Sequence, residues 1–175
     1  MPEIRKTIPK KKTKVAVFID AANIELSAKD RGWKVDYKKL YKWLSSQGKL
    51  IYTGFFTVRF SNKEHDKFLT LLKKTGYELV TKPLKLIRDK HKGHLRKANF
   101  DVEISVEVMK RIKDFDCLML FSGDSDFDYL LRTIKGKSKK VIVVSMRYHV
   151  SKELVERADK YLDLRKIRRV IERKP

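Results

Sequence analysis

The distribution of apolar residues along the chain predicts several short strands. Val15 to Ile19 form an apolar run without polar alternation, which is typical of a strand buried on both faces of a parallel sheet. Residues 50–60 are rich in aromatic and β-branched side chains and predict a second strand, and residues 77–80 begin a third. Cys117 to Phe121 and Val141 to Ser145 predict two more.

Between these strands, apolar residues recur at helical spacing. Leu40, Trp43 and Leu44 precede Gly48, and a second amphipathic segment ends near Gly76. Each glycine can end a helix because it adopts left-handed backbone conformations without strain. The alternation of strand and helix predicts an α/β fold with a mainly parallel sheet and right-handed crossovers.

The second half of the chain continues this alternation. Val102, Val106 and Met109, spaced at i, i+4 and i+7, predict a helix that begins at Asp101. Residues 127–134 predict another helix, and Ser151 is expected to cap a further one. A short segment follows at Tyr161 to Leu164.

Basic residues concentrate in three segments. Residues 1–13 predict a flexible basic arm, residues 82–97 a hairpin or exposed loop, and residues 165–175 a basic helical tail. The length of 175 residues suits one globular domain between arm and tail.

The net charge of the chain points to a polyanionic partner. Lys and Arg number 43 against 22 Asp and Glu, which gives a formal net charge of +21. Nucleic acid fits this charge best. Adaptation to high temperature is the alternative reading of a Lys- and Arg-rich chain, but a thermophilic protein would add Glu as freely as Lys.

The chain has no apolar run long enough to cross a bilayer and no apolar stretch typical of a secretory signal. We therefore expect a cytoplasmic protein without a membrane partner. Cys117, the single cysteine, lies inside an apolar run and is predicted to be structural.

Acidic residues follow two of the predicted strands. Asp20 and Asn23 come after the first strand, and Asp124 and Asp126 lie with two serines in the turn after Phe121. In an open α/β sheet, ligands bind beyond the carboxyl ends of the strands. These two segments are therefore the first candidates for a functional site.

The predicted helix from Asp101 adds further carboxylates. Asp101 lies in its first turn, while Glu103 and Glu107 share one face. Each acid also has a structural explanation: Asp126 suits a helix cap, Asp20 an Asx turn, and the glutamates ordinary surface charge. Taken together, these acids are better explained by a bound divalent cation.

Oxygen ligands favour Mg²⁺ or Mn²⁺ over zinc. The one zinc-like pairing, His91 and His94, has no third ligand nearby. Glycine-rich phosphate loops are absent from the sequence, and no His or Cys is placed as a nucleophile beside a base. Hydrolysis by metal-activated water remains.

Three segments in order resemble the NYN domain, including its LabA-like members, within the PIN-like nuclease superfamily. They are Val-Phe-Ile-Asp-Ala-Ala-Asn at 17–23, Lys-Ala-Asn-Phe-Asp-Val-Glu at 97–103 and Leu-Phe-Ser-Gly-Asp-Ser-Asp-Phe at 120–127. The resemblance spans residues 14 to about 164, which we therefore take as the domain. It implies a PIN-like three-layer sandwich, with a central mainly parallel sheet flanked by helices, and hydrolysis of RNA phosphodiesters with Mg²⁺ or Mn²⁺.

The resemblance also assigns residues. The catalytic and metal-binding set is Asp20, Asp101, Asp124 and Asp126, with Asn23, Ser122 and Ser125 as supporting polar groups. Glu107 stands where family members commonly carry a second aspartate, and is a further candidate ligand. The pair Ala21 and Ala22 occupies positions where a glycine is common.

We expect RNA, single-stranded or structured, as the partner, and a homodimer is possible. The candidate RNA-binding residues are Lys90, Lys92, Arg96, Lys97 and Arg59. Phe60, beside Arg59, could stack on a base but is more often a core residue.

Two other functions stay open from sequence. The first is a non-catalytic NYN module that binds RNA or protein, which the presence of all four aspartates disfavours. The second is a metal-dependent phosphatase of small esters, which the excess positive charge disfavours.

Overall fold

Eight strands and seven helices form the part of the protein that the structure describes. The computed structural model describes residues 12–83, 85–89, 93–97 and 99–174, with residues 85–89 and 93–97 described by their backbone. The strands are β1 Lys14–Asp20, β2 Lys49–Arg59, β3 Glu78–Pro83, β4 Lys85–Asp89, β5 Gly93–Lys97, β6 Cys117–Phe121, β7 Lys140–Ser145 and β8 Lys160–Asp163.

The helices alternate with the strands along the chain. They are α1 Ala21–Lys29, α2 Tyr37–Ser45, α3 Lys63–Thr75, α4 Asp101–Lys110, α5 Asp128–Gly136, α6 Lys152–Arg157 and α7 Arg168–Ile171. Short 3-10 turns at Ser125–Phe127 and Leu164–Ile167 precede α5 and α7. Ser151 caps α6 as predicted, accepting a hydrogen bond from the N–H of Leu154 at 3.3 Å.

Six strands pair in parallel in the order β3-β2-β1-β6-β7-β8. Strands β2 and β3 extend the sheet to one side of β1, and the chain then returns to add β6, β7 and β8 on the other side. The point where this order reverses lies between β1 and β6. Crevices beyond the carboxyl ends of such strands are where α/β proteins bind their ligands.

Helices cover both faces of the sheet, which confirms the predicted three-layer α/β arrangement. Burial on both faces of the sheet explains the unbroken apolar run of β1. Val15, Val17 and Ile19 pack into the core on one face, and Ala16 and Phe18 pack into the core on the other. The first core is completed by α1, α2, α3 and α7, and the second by α4, α5 and α6.

Helix α4 begins at Asp101 as predicted, but the apolar residues used to predict it do not face the core. Val102 and Val106 are 71% and 48% exposed, and Met109 is also exposed. The buried side chains are Ile104 and Val108. The helix carries two apolar stripes, and periodicity alone cannot tell which one is covered.

The basic C-terminal tail is part of the fold. Ile167 and Ile171 are buried in the core beside α2. The N–H of Asp36 donates to the carbonyl of Ile171 at 2.8 Å, and Val35 bridges to Glu172. Basic residues of this segment therefore lie on the outer side of a packed turn and helix.

The segment predicted as a hairpin or exposed loop contains two strands, β4 and β5, which pair antiparallel. Lys90 and Lys92, and the side chains of Arg96 and Lys97, lie outside the described residues, as does the N-terminal arm up to residue 11.

Cys117 is buried, as expected of a structural cysteine, and burial raises the pKa of its thiol to about 12. In the part of the chain that the structure describes, no helix has the length and apolar character needed to span a membrane.

Gly76 provides a test of helix termination. It ends α3 with φ of 118°, and a Cβ there would lie 2.5 Å from the hydroxyl oxygen of Tyr41. We expect Gly76→Ala to lower the free energy of unfolding by about 1 to 3 kcal/mol, measured by urea denaturation. Gly136→Ala is the matched control, because nothing lies within 4 Å of a Cβ at that helical glycine. Equal losses in the two variants would contradict this account.

Candidate functional site

Pairing of β1 with β6 brings together the acidic segment that follows β1 and the acidic segment that follows β6. Ile19 lies opposite Phe121, so Asp20 and Ser122 follow at neighbouring positions beyond the sheet. The Ser122 hydroxyl donates to Oδ2 of Asp20 at 3.3 Å, and the N–H of Asn23 donates to Oδ1 at 3.3 Å. Asp20 therefore caps α1 with one oxygen while its other oxygen faces the turn after β6.

The turn after β6 is fixed by side-chain hydrogen bonds. Oδ1 of Asn23 accepts from the N–H of Gly123 at 3.1 Å, and the Ser122 oxygen accepts from the N–H of Asp124 at 3.3 Å. Asp124 in turn accepts from the N–H of Asp126 at 3.0 Å. Asn23 and Ser122 therefore hold the turn that carries Asp124.

The third site segment is held by Asn99. Its Oδ1 accepts from the N–H of Asp101 at 2.9 Å, and its amide nitrogen donates to Oδ2 of Asp101. The carboxylate of Asp101 is thereby oriented at the first turn of α4, where the helix dipole favours a negative charge.

Three carboxylates converge at this edge of the sheet. One oxygen from each of Asp101, Asp124 and Asp126 lies within 4.8 Å of the other two. Oxygen ligands around an octahedral Mg²⁺ at about 2.1 Å are about 3 to 4.2 Å apart, so small side-chain rotations suffice to bind one. The arrangement fits a hard divalent cation.

Burial and, to a smaller extent, charge repulsion raise the pKa of two aspartates in the site. Burial raises the pKa of Asp20 to about 6; hydrogen bonds from Asn23 and Ser122 lower it, and the charges of Asp101 and Asp124 raise it. Burial and the charges of Asp124 and Asp126 likewise raise the pKa of Asp101, against its bond from Asn99. A bound cation would relieve this repulsion.

Two of the four aspartates, Asp20 and Asp124, cap a helix or turn. Asp20 does cap a helix, but Asp126 does not: Asp124 caps the 3-10 turn at Ser125–Phe127 instead. Phe100 occupies the N-cap position of α4, which leaves Asp101 free of that role. Within the described residues, capping therefore leaves Asp101 and Asp126 without a structural explanation.

Glu107 lies outside the cluster. It is six residues after Asp101, about 9 Å farther along the helix axis. Lys110 donates to its carboxylate at 2.7 Å and Arg111 donates as well. The bond from Lys110, together with the bond and charge of Arg111, lowers the pKa of Glu107. The structure thus gives this glutamate ion-pair partners in place of a shared site.

The remaining predicted residues are less closely tied to the cluster. Ser125 is exposed, and its hydroxyl forms no hydrogen bond within the described part of the chain. Arg59 ends β2 and pairs with Asp66 at 3.3 Å, with both side chains largely exposed. Phe60, expected more often in the core, is 42% exposed and packs edge-on against His65.

Lys82 is a positioning residue that the sequence did not single out. Its ammonium, at the end of β3, donates to Oε1 of Glu103 at 2.8 Å and to the carbonyl of Asn99. It also lies 4.5 Å from the centre of the Phe100 ring. These contacts tie β3 to the start of α4 and so help to place Asp101.

The raised pKa of Asp20 predicts a pH-dependent stability. The pKa of about 6 in the folded chain exceeds the ordinary aspartate pKa of 3.8, so the charged form destabilises the folded chain, and protonation removes this cost as the pH falls from 6 to 4. In chelator, we expect Asp20→Asn to raise the free energy of unfolding by about 3 kcal/mol at pH 7.5 and about 1 kcal/mol at pH 4.5. Denaturant titrations at both pH values measure this. A variant equally destabilised at both would contradict the assignment.

Comparisons with known proteins concern the family and the fold of the chain. The NYN domain profile matches residues 14–165. Low amplitude and bright protein LabA of Synechococcus elongatus is 28% identical over 165 residues, covering 92% of this chain and 89% of that protein. The crystal structure of a protein of unknown function from Vibrio parahaemolyticus shares the fold, with a TM-score of 0.78 and 23% identity over 89% of this chain and 95% of that one. Because the profile covers most of its length, this chain belongs to the NYN domain family.

Proposed function

We propose that the protein is a ribonuclease that hydrolyses RNA phosphodiester bonds with a divalent cation, Mg²⁺ or Mn²⁺. The observation that carries the proposal is the convergence of Asp101, Asp124 and Asp126 within 4.8 Å beyond the strand ends. Membership of the NYN family, whose fold is that of PIN-like nucleases, supports the same chemistry.

Each carboxylate has a defined part in this proposal. Asp101, Asp124 and Asp126 hold the cation, and Asp20 completes the acidic set from the end of β1. When bound, the cation supplies an activated water and offsets the charge that develops on the phosphate. Ser122 and Asn23 keep the turn of Asp124 in place through the hydrogen bonds described above.

A polymeric substrate suits the charge distribution. The acidic cluster lies in a chain of net charge +21, so the surrounding surface attracts a long polyanion more strongly than a small ester. Lys97 ends β5 four residues before Asp101, which favours the hairpin as a backbone contact. We propose Lys90, Lys92, Arg96 and Lys97 as residues that hold RNA phosphates.

The first test compares cleavage of an end-labelled, mostly single-stranded RNA in Mg²⁺, Mn²⁺ or chelator. We expect the parent to cut only with metal, and Asp124→Asn to lower the rate at least about 100-fold while RNA binding stays. Asp114→Asn is the matched control. Asp114 is an exposed aspartate just before β6, at the opposite edge of the sheet, and its loss should leave cleavage unchanged.

Two results would contradict this proposal. Equal cleavage by the parent and Asp124→Asn would show that the cleavage does not depend on the acidic cluster and comes from a contaminating nuclease. Binding of RNA without cleavage by any variant, in any metal, would make the protein a non-catalytic RNA-binding module.

Metal binding can be measured without substrate. At about ten times its Kd, a cation stabilises the folded chain by about 1.4 kcal/mol, which raises the Tm by about 3 to 6 °C. We expect this shift with Mn²⁺ for the parent and for Glu107→Gln, because the structure places Glu107 in ion pairs outside the cluster. Asp101→Asn should lose most of the shift. Loss of the shift in Glu107→Gln would return that residue to the ligand set.

A further inference from the structure

An exposed tyrosine surrounded by arginines lies at the same edge of the sheet as the acidic cluster. Tyr148, in the turn after β7, is 68% exposed. The guanidinium carbon of Arg31 lies 4.8 Å from the centre of its ring, and those of Arg147 and Arg165 lie 5.9 Å away. A side chain this exposed contributes little to the core, so packing does not account for its position.

The turn that carries Tyr148 is braced against the acidic turn. A Cβ on Gly123 would lie 1.7 Å from the carbonyl oxygen of His149, so the two backbones are in close contact. The N–H of Ser151 donates to the carbonyl of Gly123 at 2.9 Å. Tyr148 and Asp124 are each one residue from this contact, so the two turns pack together at the carboxyl edge of the sheet, while the ring contacts Arg31 beyond the last residue of α1.

The arginines around the ring are not equally neutralised. Arg165 is held by Asp163 through bonds of 3.1, 3.0 and 2.5 Å. Arg31 and Arg147 have no carboxylate partner among the residues that the structure describes. Two exposed cations and a third, anchored one therefore surround an aromatic face.

We infer that Tyr148, with Arg31, Arg147 and Arg165, binds a nucleotide of the single-stranded RNA whose cleavage is proposed above, at a distance from the bond that is cut. The base stacks on the tyrosine ring, and the arginines contact the flanking phosphates. The inference rests on the proposed function and extends it by naming where a further nucleotide of the substrate is held.

The chemistry of the patch favours this occupant. Unstacked bases bind to aromatic rings and guanidinium planes, and phosphates pair with arginine. An acidic protein segment would need the cations but not the ring.

The inference is tested by fluorescence anisotropy with a labelled oligouridylate in chelator, so that binding is read without cleavage. We expect Tyr148→Ala to lower the affinity about tenfold and Tyr148→Phe, which keeps the ring, to change it by less than about twofold. On an abasic strand of the same length, Tyr148→Ala and the parent should bind alike.

Two matched variants separate stacking from charge. Tyr129→Ala removes a tyrosine that is 70% exposed but has, among the residues that the structure describes, one arginine near its ring, Arg132, and this variant should bind RNA like the parent. Arg147→Ala should reduce the slope of log affinity against log salt by about 1, whereas Tyr148→Ala should leave that slope unchanged.

Several results would overturn the inference. They are unchanged RNA affinity in Tyr148→Ala, an equal loss in Tyr129→Ala, or an equal loss on the abasic strand. Unchanged affinity would leave an acidic protein as the partner of the patch. Because this assay contains no metal, its outcome is independent of the cleavage test: Tyr148→Ala can lose RNA affinity in a protein that never cuts RNA, and Asp124→Asn can lose cleavage where Tyr148 makes no contact.

Discussion

The mutual repulsion of carboxylates at the junction of β1 and β6 is the constraint on which the rest of the site depends. The parallel register sets Asp20 beside Ser122 at the point where the strand order reverses, which is where α/β proteins bind their ligands. Asp101 lies near the same point, at the start of α4. Burial, with a smaller contribution from the neighbouring carboxylates, raises the pKa values of Asp20 and Asp101, and hydrogen bonds from neighbouring groups oppose this rise.

Neutral polar groups do most of this holding. Ser122, Asn23 and Asn99 bond the acidic segments through hydroxyl and amide groups and leave the negative charge of the cluster uncancelled. Lys82 contacts this framework and bonds Glu103 and the carbonyl of Asn99. A site built in this way keeps its charge available for a cation. In a chain of net charge +21 it is also the place where that charge is locally reversed.

Much of the fold could be predicted from the sequence because buried parallel strands leave unbroken apolar runs and glycines mark helix ends. The site was predictable for a related reason: acids that directly follow two central strands must meet at one edge. Side-chain direction was harder. Val102, Val106 and Met109 have helical spacing but face solvent, and Glu107 has the spacing of a ligand but pairs with Arg111. Which stripe of a helix is covered depends on neighbours that lie far away in sequence. The contacts of Lys82 and Tyr148 likewise come from residues that are distant in sequence.

Gly123 connects these observations. Its missing side chain lets the turn of Asp124 touch the carbonyl of His149, where any Cβ would lie at 1.7 Å. The turn after β6 and the turn after β7 are therefore one packed unit, and a change in either moves both. Under the two proposals above, this contact positions both the carboxylate of Asp124 for a cation and the ring of Tyr148 for a base. A substitution at position 123 would therefore disturb both proposed sites, whereas Tyr148→Ala would change only the second.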